Sequence, residues 1–143
     1  LKKYKDFVIV KALNRNQDLG LKMIDNKLYI SILFYNKKKR IYEYEYSEVL
    51  VYDIDKLIVK LVSVMNNLEN NVFYNNRKNN QDILMKLINY NKAFKLKNTL
   101  KLSLYSYIGI NNATHSNVTI SIDSARNLYR VLNNAKLIQN TNR

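Results

Sequence analysis

The most restrictive feature of this chain is a strict two-residue alternation folded about one polar point. Leu19, Leu21 and Met23 alternate up to Asp25 and Asn26, and Leu28, Ile30, Ile32 and Phe34 alternate away from them. A period of two places each set on one face of an extended strand, and Asp-Asn is turn chemistry, so the pattern predicts a β-hairpin with one buried face. A helix would scatter the same residues around its circumference. Further strands are expected at Phe7 to Leu13 and at Ile41 to Tyr46. In the latter, Tyr42, Tyr44 and Tyr46 share one face, and Glu43 and Glu45 share a solvated one.

The period then changes. Ile54, Leu57, Ile58, Leu61, Val62, Met65 and Leu68 follow helical spacing, with Asp53 placed to cap, and predict an amphipathic helix. The Asn-rich stretch 66–80 carries Phe73 and Tyr74 without a period and is expected to be a linker, followed by a short helix over Asp82 to Tyr90. Leu100, Leu102 and Leu104 restart the alternation, with Lys101, Ser103, Tyr105 and Tyr107 on the opposite face. A polar loop is expected from Gly109 to Asn117, then a strand through Val118, Ile120 and Ile122. A helix capped by Asp123 or Ser124 should bury Ala125, Leu128, Tyr129 and Leu132, with a frayed tail from Gln139.

Asn26 to Tyr35 (NKLYISILFY) aligns with Asn98 to Tyr107 (NTLKLSLYSY) at an offset of 72, and Asp53, Leu57 and Leu61 align with Ser124, Leu128 and Leu132 at 71. The order of elements repeats as well. The expectation is a single α+β domain over 1–143 with two strand-rich pseudo-repeats, 7–70 and 92–137, each closed by an amphipathic helix and joined by the linker 66–80. That order resembles the family shared by the Whirly proteins, the Pur-type repeats and the single-stranded-DNA-binding transcriptional coactivators. The likeness lies mainly in Phe94 to Leu132: KNTLKLSLYSY for the middle strands, INNATHSN for the loop, VTISIDSARNLYRVL for the last strand and helix. It is one of pattern and includes no Lys-Gly-Lys-Ala-type box. The resemblance implies a twisted sheet that carries single-stranded nucleic acid on one face, without catalysis. A five-stranded oligonucleotide-binding (OB-fold) barrel with added helices is the alternative architecture.

Composition narrows the partners. The 143 residues carry 24 Lys+Arg against 11 Asp+Glu, a net charge of +13, and residues 72–143 hold 11 Lys+Arg against only Asp82 and Asp123. Heavy Asn, Lys, Ile and Tyr use with no Pro points to an A+T-rich genome, which contributes to the charge. The absence of Cys excludes disulfides and thiolate chemistry. The longest apolar run, Leu28 to Tyr35, is far short of the ~20 residues that span a bilayer. Phe7 to Val10 is too short for the apolar region of a signal sequence and Lys11 ends it, so a cytoplasmic location without membrane association is expected; Leu1 in place of Met is separately read as a sign of a trimmed or processed chain.

Catalysis finds little support. His115 stands alone among polar residues, Asp53 and Asp55 suit a helix start, and neither Gly20 nor Gly109 belongs to a phosphate-binding loop. No metal, cofactor or enzymatic role is expected. Basic groups neutralise phosphates while tyrosine rings offer flat surfaces to unstacked bases. On that logic the candidate nucleic-acid-binding residues are Lys95, Lys97, Lys101, Tyr105 and Tyr107 in the second half. In the first half they are Lys27, Tyr29, Tyr35 and the turn Lys37, Lys38, Lys39 and Arg40. A non-catalytic protein that prefers single strands and forms a homo-oligomer is the expected function. The competing reading is an assembly module whose Tyr-rich strands form a protein interface.

Overall fold

Asp25 and Asn26 adopt positive φ values of 50° and 64°, the geometry of a two-residue type I′ turn, which asparagine and aspartate tolerate better than most side chains. The turn joins two strands of a first sheet, formed in order by β1 (Val8–Val10), β2 (Gln17–Ile24), β3 (Lys27–Asn36) and β4 (Ile41–Val51), all antiparallel. Helix α1 (Ile54–Met65) follows, its first turn capped by Asp53, which accepts from the Lys56 backbone N–H at 3.0 Å. The second sheet repeats the plan with β5 (Asn71–Asn76), β6 (Gln81–Lys92), β7 (Lys95–Tyr107) and β8 (Ala113–Ser121), and α2 (Ile122–Thr141) closes it. This computed structural model describes residues 7–76, 80–92, 95–107 and 113–141; the side chains of 44–47, 89–92, 95–97, 113 and 114 lie outside that description. Within it the chain is a mixed α+β protein of two antiparallel sheets and two helices, with no closed barrel, so the barrel alternative does not hold.

Several expectations are corrected. The Asn-rich stretch is not a linker throughout, because Asn71–Asn76 is strand β5, with Val72, Tyr74 and Asn76 buried and the alternate residues exposed. The residues expected as a short helix, Asp82 to Tyr90, form the middle of β6, so the second set of strands begins at Asn71 rather than at 92. Ala113 to Asn117 belongs to β8 rather than to a loop. Helix α2 is capped by Ser121, whose hydroxyl accepts from the Ser124 N–H at 3.1 Å; Tyr129 lies outward. The tail does not fray at Gln139, which exchanges hydrogen bonds with the backbone and side chain of Asn26 in the first hairpin.

Both sheets turn one face to a shared core that includes Leu19, Leu21, Ile30 and Val49 from the first and Ile83, Met85, Leu102 and Val118 from the second. Leu57, Leu61, Leu128 and Leu132 of the helices complete it. Lys136 and Asp55 form an ion pair between α2 and α1. The sheets meet along β4. There the Leu50 N–H donates to Gln81 Oε1 at 3.0 Å and the Leu50 carbonyl accepts from Asn76 Nδ2 at 2.8 Å, so two amide side chains satisfy backbone that would otherwise be an open edge. Gly20 is required by contact: a Cβ there would lie 2.5 Å from Leu33 Cδ1 and 2.9 Å from Phe7 Cδ1. No described helix is long and apolar enough to cross a membrane.

Candidate nucleic-acid interface

Each sheet leaves its second face outside the core, and the two outer faces differ in chemistry. On the first sheet, Tyr29, Ser31, Leu33 and Tyr35 of β3 point outward, but Phe7 and Leu33 pack over Gly20 and fill the middle. Carboxylates occupy the rest. Asp18, nearly fully buried, accepts the Tyr42 hydroxyl at 2.8 Å, the Ala12 N–H at 2.8 Å and the Lys11 ammonium at 3.3 Å, while Glu48 accepts the Ser31 hydroxyl at 3.1 Å. The hydrogen bond to Tyr42, with help from Asp18, holds the Lys11 ammonium above its ordinary pKa against the opposing effect of burial, and burial raises the Tyr42 phenol.

The candidates of the first half are therefore dispersed. Lys27 is exposed at the start of β3, and Tyr29 and Tyr35 are half-buried, Tyr35 with its ring 5.1 Å from that of Tyr42 at a tilt of 58°. Lys37, Lys38, Lys39 and Arg40 are exposed at the β3–β4 turn, which Asn36 organises by accepting the Lys38 and Lys39 backbone N–H groups. Glu43 is not on a solvated face. It is 6% exposed, within 3.7 Å of the Lys39 ammonium and 3.5 Å of Asn36 Nδ2, so part of the turn's charge is spent inside the protein.

The second sheet carries an open face of another kind. Cross-strand register places Asn71, Lys86, Lys101 and Thr119 in one row, Phe73, Leu84, Ser103 and Asn117 in the next, and Asn75, Asp82, Tyr105 and His115 in a third, all directed away from the leucine core. Lys86 stands directly opposite Lys101, a like-charge pair that repels unless an anion lies between them. The rings of His115, Tyr105 and Tyr107 form a stepped stack: His115 to Tyr105 is 5.4 Å at 18°, and Tyr105 to Tyr107 is 6.3 Å at 8°. Phe73 is 48% exposed and Tyr107 42%. Tyr107 donates to the Asp82 carboxylate, and this bond, with a lesser contribution from burial, raises its phenol pKa and keeps the ring neutral. Between residues 71 and 121 Asp82 is the sole acidic residue, against seven Lys and Arg.

Lys101, Tyr105 and Tyr107 are thus brought together as expected, away from the leucine face. Lys95 and Lys97 lie in β7, in register with Lys92 and Tyr90, but their side chains are outside the described residues. Lys86, Phe73, His115 and Asp82 were not foreseen as members of this face. Their signal was nevertheless present: QDILMKLI at 81–88 repeats QDLGLKMI at 17–24, and the second element of each unit is a strand. Tyr74, grouped with Phe73 by sequence, is instead a core residue whose hydroxyl accepts the Asp53 N–H at 3.0 Å; burial chiefly raises its pKa. No group of three or more His, Cys, Asp or Glu side chains suited to a metal ion occurs among the described residues. Compared with protein-family models and with curated protein sequences, the chain matches none.

Proposed function

We propose that the protein binds single-stranded nucleic acid, DNA in preference to RNA, without catalysing a reaction, and serves replication, recombination, plasmid transfer or transcription. The observation that carries this reading is the outer face of β5–β8, where Lys86 and Lys101 face each other beside the stacked rings of Tyr105, Tyr107 and His115. Paired lysines without carboxylate partners among the described residues favour a polyanion, and a row of rings, exposed at His115 and Tyr107 and half-buried at Tyr105, favours unpaired bases over a closed duplex. A four-stranded antiparallel sheet followed by a helix in each of two units supports the Whirly-like reading of the sequence. The first sheet, with its filled face and its acids, is then the structural partner of the second.

The test is a fluorescence-anisotropy titration with single-stranded DNA, RNA and duplex of the same sequence. Submicromolar binding to single-stranded DNA that weakens with salt, and weaker binding to duplex, is the expected result. Equal, weak binding to all three favours the assembly reading. Exposed Val8 and Ile138, which line the groove between β1–β2 and α2, supply apolar surface for a homo-oligomer, which light scattering at rising concentration would detect.

A further inference from the structure

At the Tyr107 end of the open face lies a cleft of about 400 Å³, within the range of small-molecule sites, lined by Asn75, Asn76, Asn80, Gln81, Asp82 and Tyr107. Apart from Tyr107, every lining side chain ends in an amide or a carboxylate. Asn76 and Gln81 turn their amides to the β4 backbone, which leaves Asn75, Asn80 and Asp82; an amide can meet a base edge or a phosphate, whereas an ionised carboxylate meets only the N–H donors of a base. A carboxylate in an otherwise basic face would repel the backbone, so Asp82 suits a different part of the ligand.

The first sheet shows what this position accepts. Gln17, Asp18 and Tyr35 occupy in β2 and β3 the places that Gln81, Asp82 and Tyr107 occupy in β6 and β7, and they too line a cleft, of about 420 Å³. There the chain itself supplies the carboxylate's partners: Asp18 receives a backbone N–H from Ala12, the Tyr42 hydroxyl and the Lys11 ammonium. Asp82 receives the Tyr107 hydroxyl, and among the described residues no backbone N–H or ammonium takes the other places. An ionised carboxylate offers about four acceptor sites, which leaves room for two parallel N–H donors.

We propose that this cleft is a nucleobase site that takes an unpaired guanine, with Asp82 accepting the guanine N1–H and N2–H and the exposed Tyr107 ring beside it. Guanine presents two adjacent donors on its pairing edge. Adenine and cytosine present one amino group beside a ring nitrogen acceptor, and thymine one imino group between two carbonyls, so each would set a lone pair against the carboxylate. In duplex DNA the guanine edge is occupied by cytosine, which adds to the preference for single strands. The inference rests on the single-strand reading above and assigns base selectivity to the same face.

The test compares an oligothymidylate with the same strand carrying one central guanosine, inosine or 7-deazaguanosine. One good bidentate pair predicts about tenfold tighter binding of the guanosine strand. Inosine, which lacks the N2 amino group, should lose most of that gain, and 7-deazaguanosine, which keeps the pairing edge, should retain it. Asp82→Asn should abolish the preference, so that the guanosine and thymidine strands bind this variant equally. Equal binding of thymidine and guanosine strands by the unaltered protein overturns the guanine site and leaves the single-strand reading standing. If no strand binds at low salt, both fall. An equal loss for both strands in Asp82→Asn would make Asp82 a positioning residue for Tyr107, and the ligand series on the unaltered protein decides the matter if that variant does not fold.

Discussion

Tyr105 and Asp82 face each other across β6 and β7 and place opposite demands on a ligand, one offering a ring face and the other accepting protons. Tyr105 alternates with Leu102 and Leu104 and so cannot share their core; its neighbours are the His115 and Tyr107 rings. Tyr105→Ala should weaken single-strand binding by roughly 1–3 kcal/mol, the worth of one stacked base. Its cost to folding should stay within about 1–3 kcal/mol, the worth of its two ring pairs. Tyr105→Phe should restore most of the affinity, because the ring and not the hydroxyl makes the contact. Anisotropy and thermal melts on the same samples separate these effects; normal binding with early melting would assign the ring to packing. Residues at the ends of elements were the hardest to read. Glu43 has the inward parity of β4 beyond the edge of the core and is buried only because Asn36 and Lys39 curl back to it, a contact created by the turn rather than by any alternation.

At the scale of elements, the hairpin β2–β3 and helix α1 were legible because their apolar periods are clean and their turn and cap residues stand where the period changes. Strand β6 was not. Ile83, Met85 and Leu87 alternate toward the core, but Leu84 and Ile88 add apolar residues to the outer face, and the mixture satisfies helical spacing equally well. Its partner β5 is built largely from asparagine, a poor strand former held here by pairing with β6 and by the hydrogen bond that the Asn76 side-chain amide donates to the Leu50 carbonyl. Tertiary contacts decided both. The helices make a direct comparison of the two units, since Leu57 and Leu128 are both fully enclosed in the same core. Leu57→Ala and Leu128→Ala should each destabilise by roughly 2–5 kcal/mol in denaturant titrations. A nearly neutral Leu128→Ala would show that α2 covers its sheet without closing it.

For the whole molecule, the question is where a net charge of +13 is available to a ligand. The β3–β4 turn has the densest run of positive charge, yet Lys39 is committed to Glu43, and the sheet behind it carries Asp18 and Glu48. The second sheet has Lys86 and Lys101 at cross-strand distance, with Lys95 and Lys97 further along the same strand. If about four phosphates are neutralised, a slope near −0.7 per phosphate predicts roughly a 50-fold loss of single-strand affinity between ~50 and ~200 mM salt. Lys86→Gln with Lys101→Gln should flatten the log–log slope by about 1.4 while leaving thermal stability unchanged or slightly higher, because a repulsive pair is removed. Lys37→Gln with Lys38→Gln, which spares the Lys39–Glu43 contact, should change the slope by less. Anisotropy titrations of the three proteins over a salt series read all of this in one experiment. The larger change in the turn variant would move the phosphate path to the first sheet, where the carboxylates would have to lie clear of it; a flat response in the unaltered protein would remove electrostatics from the binding altogether.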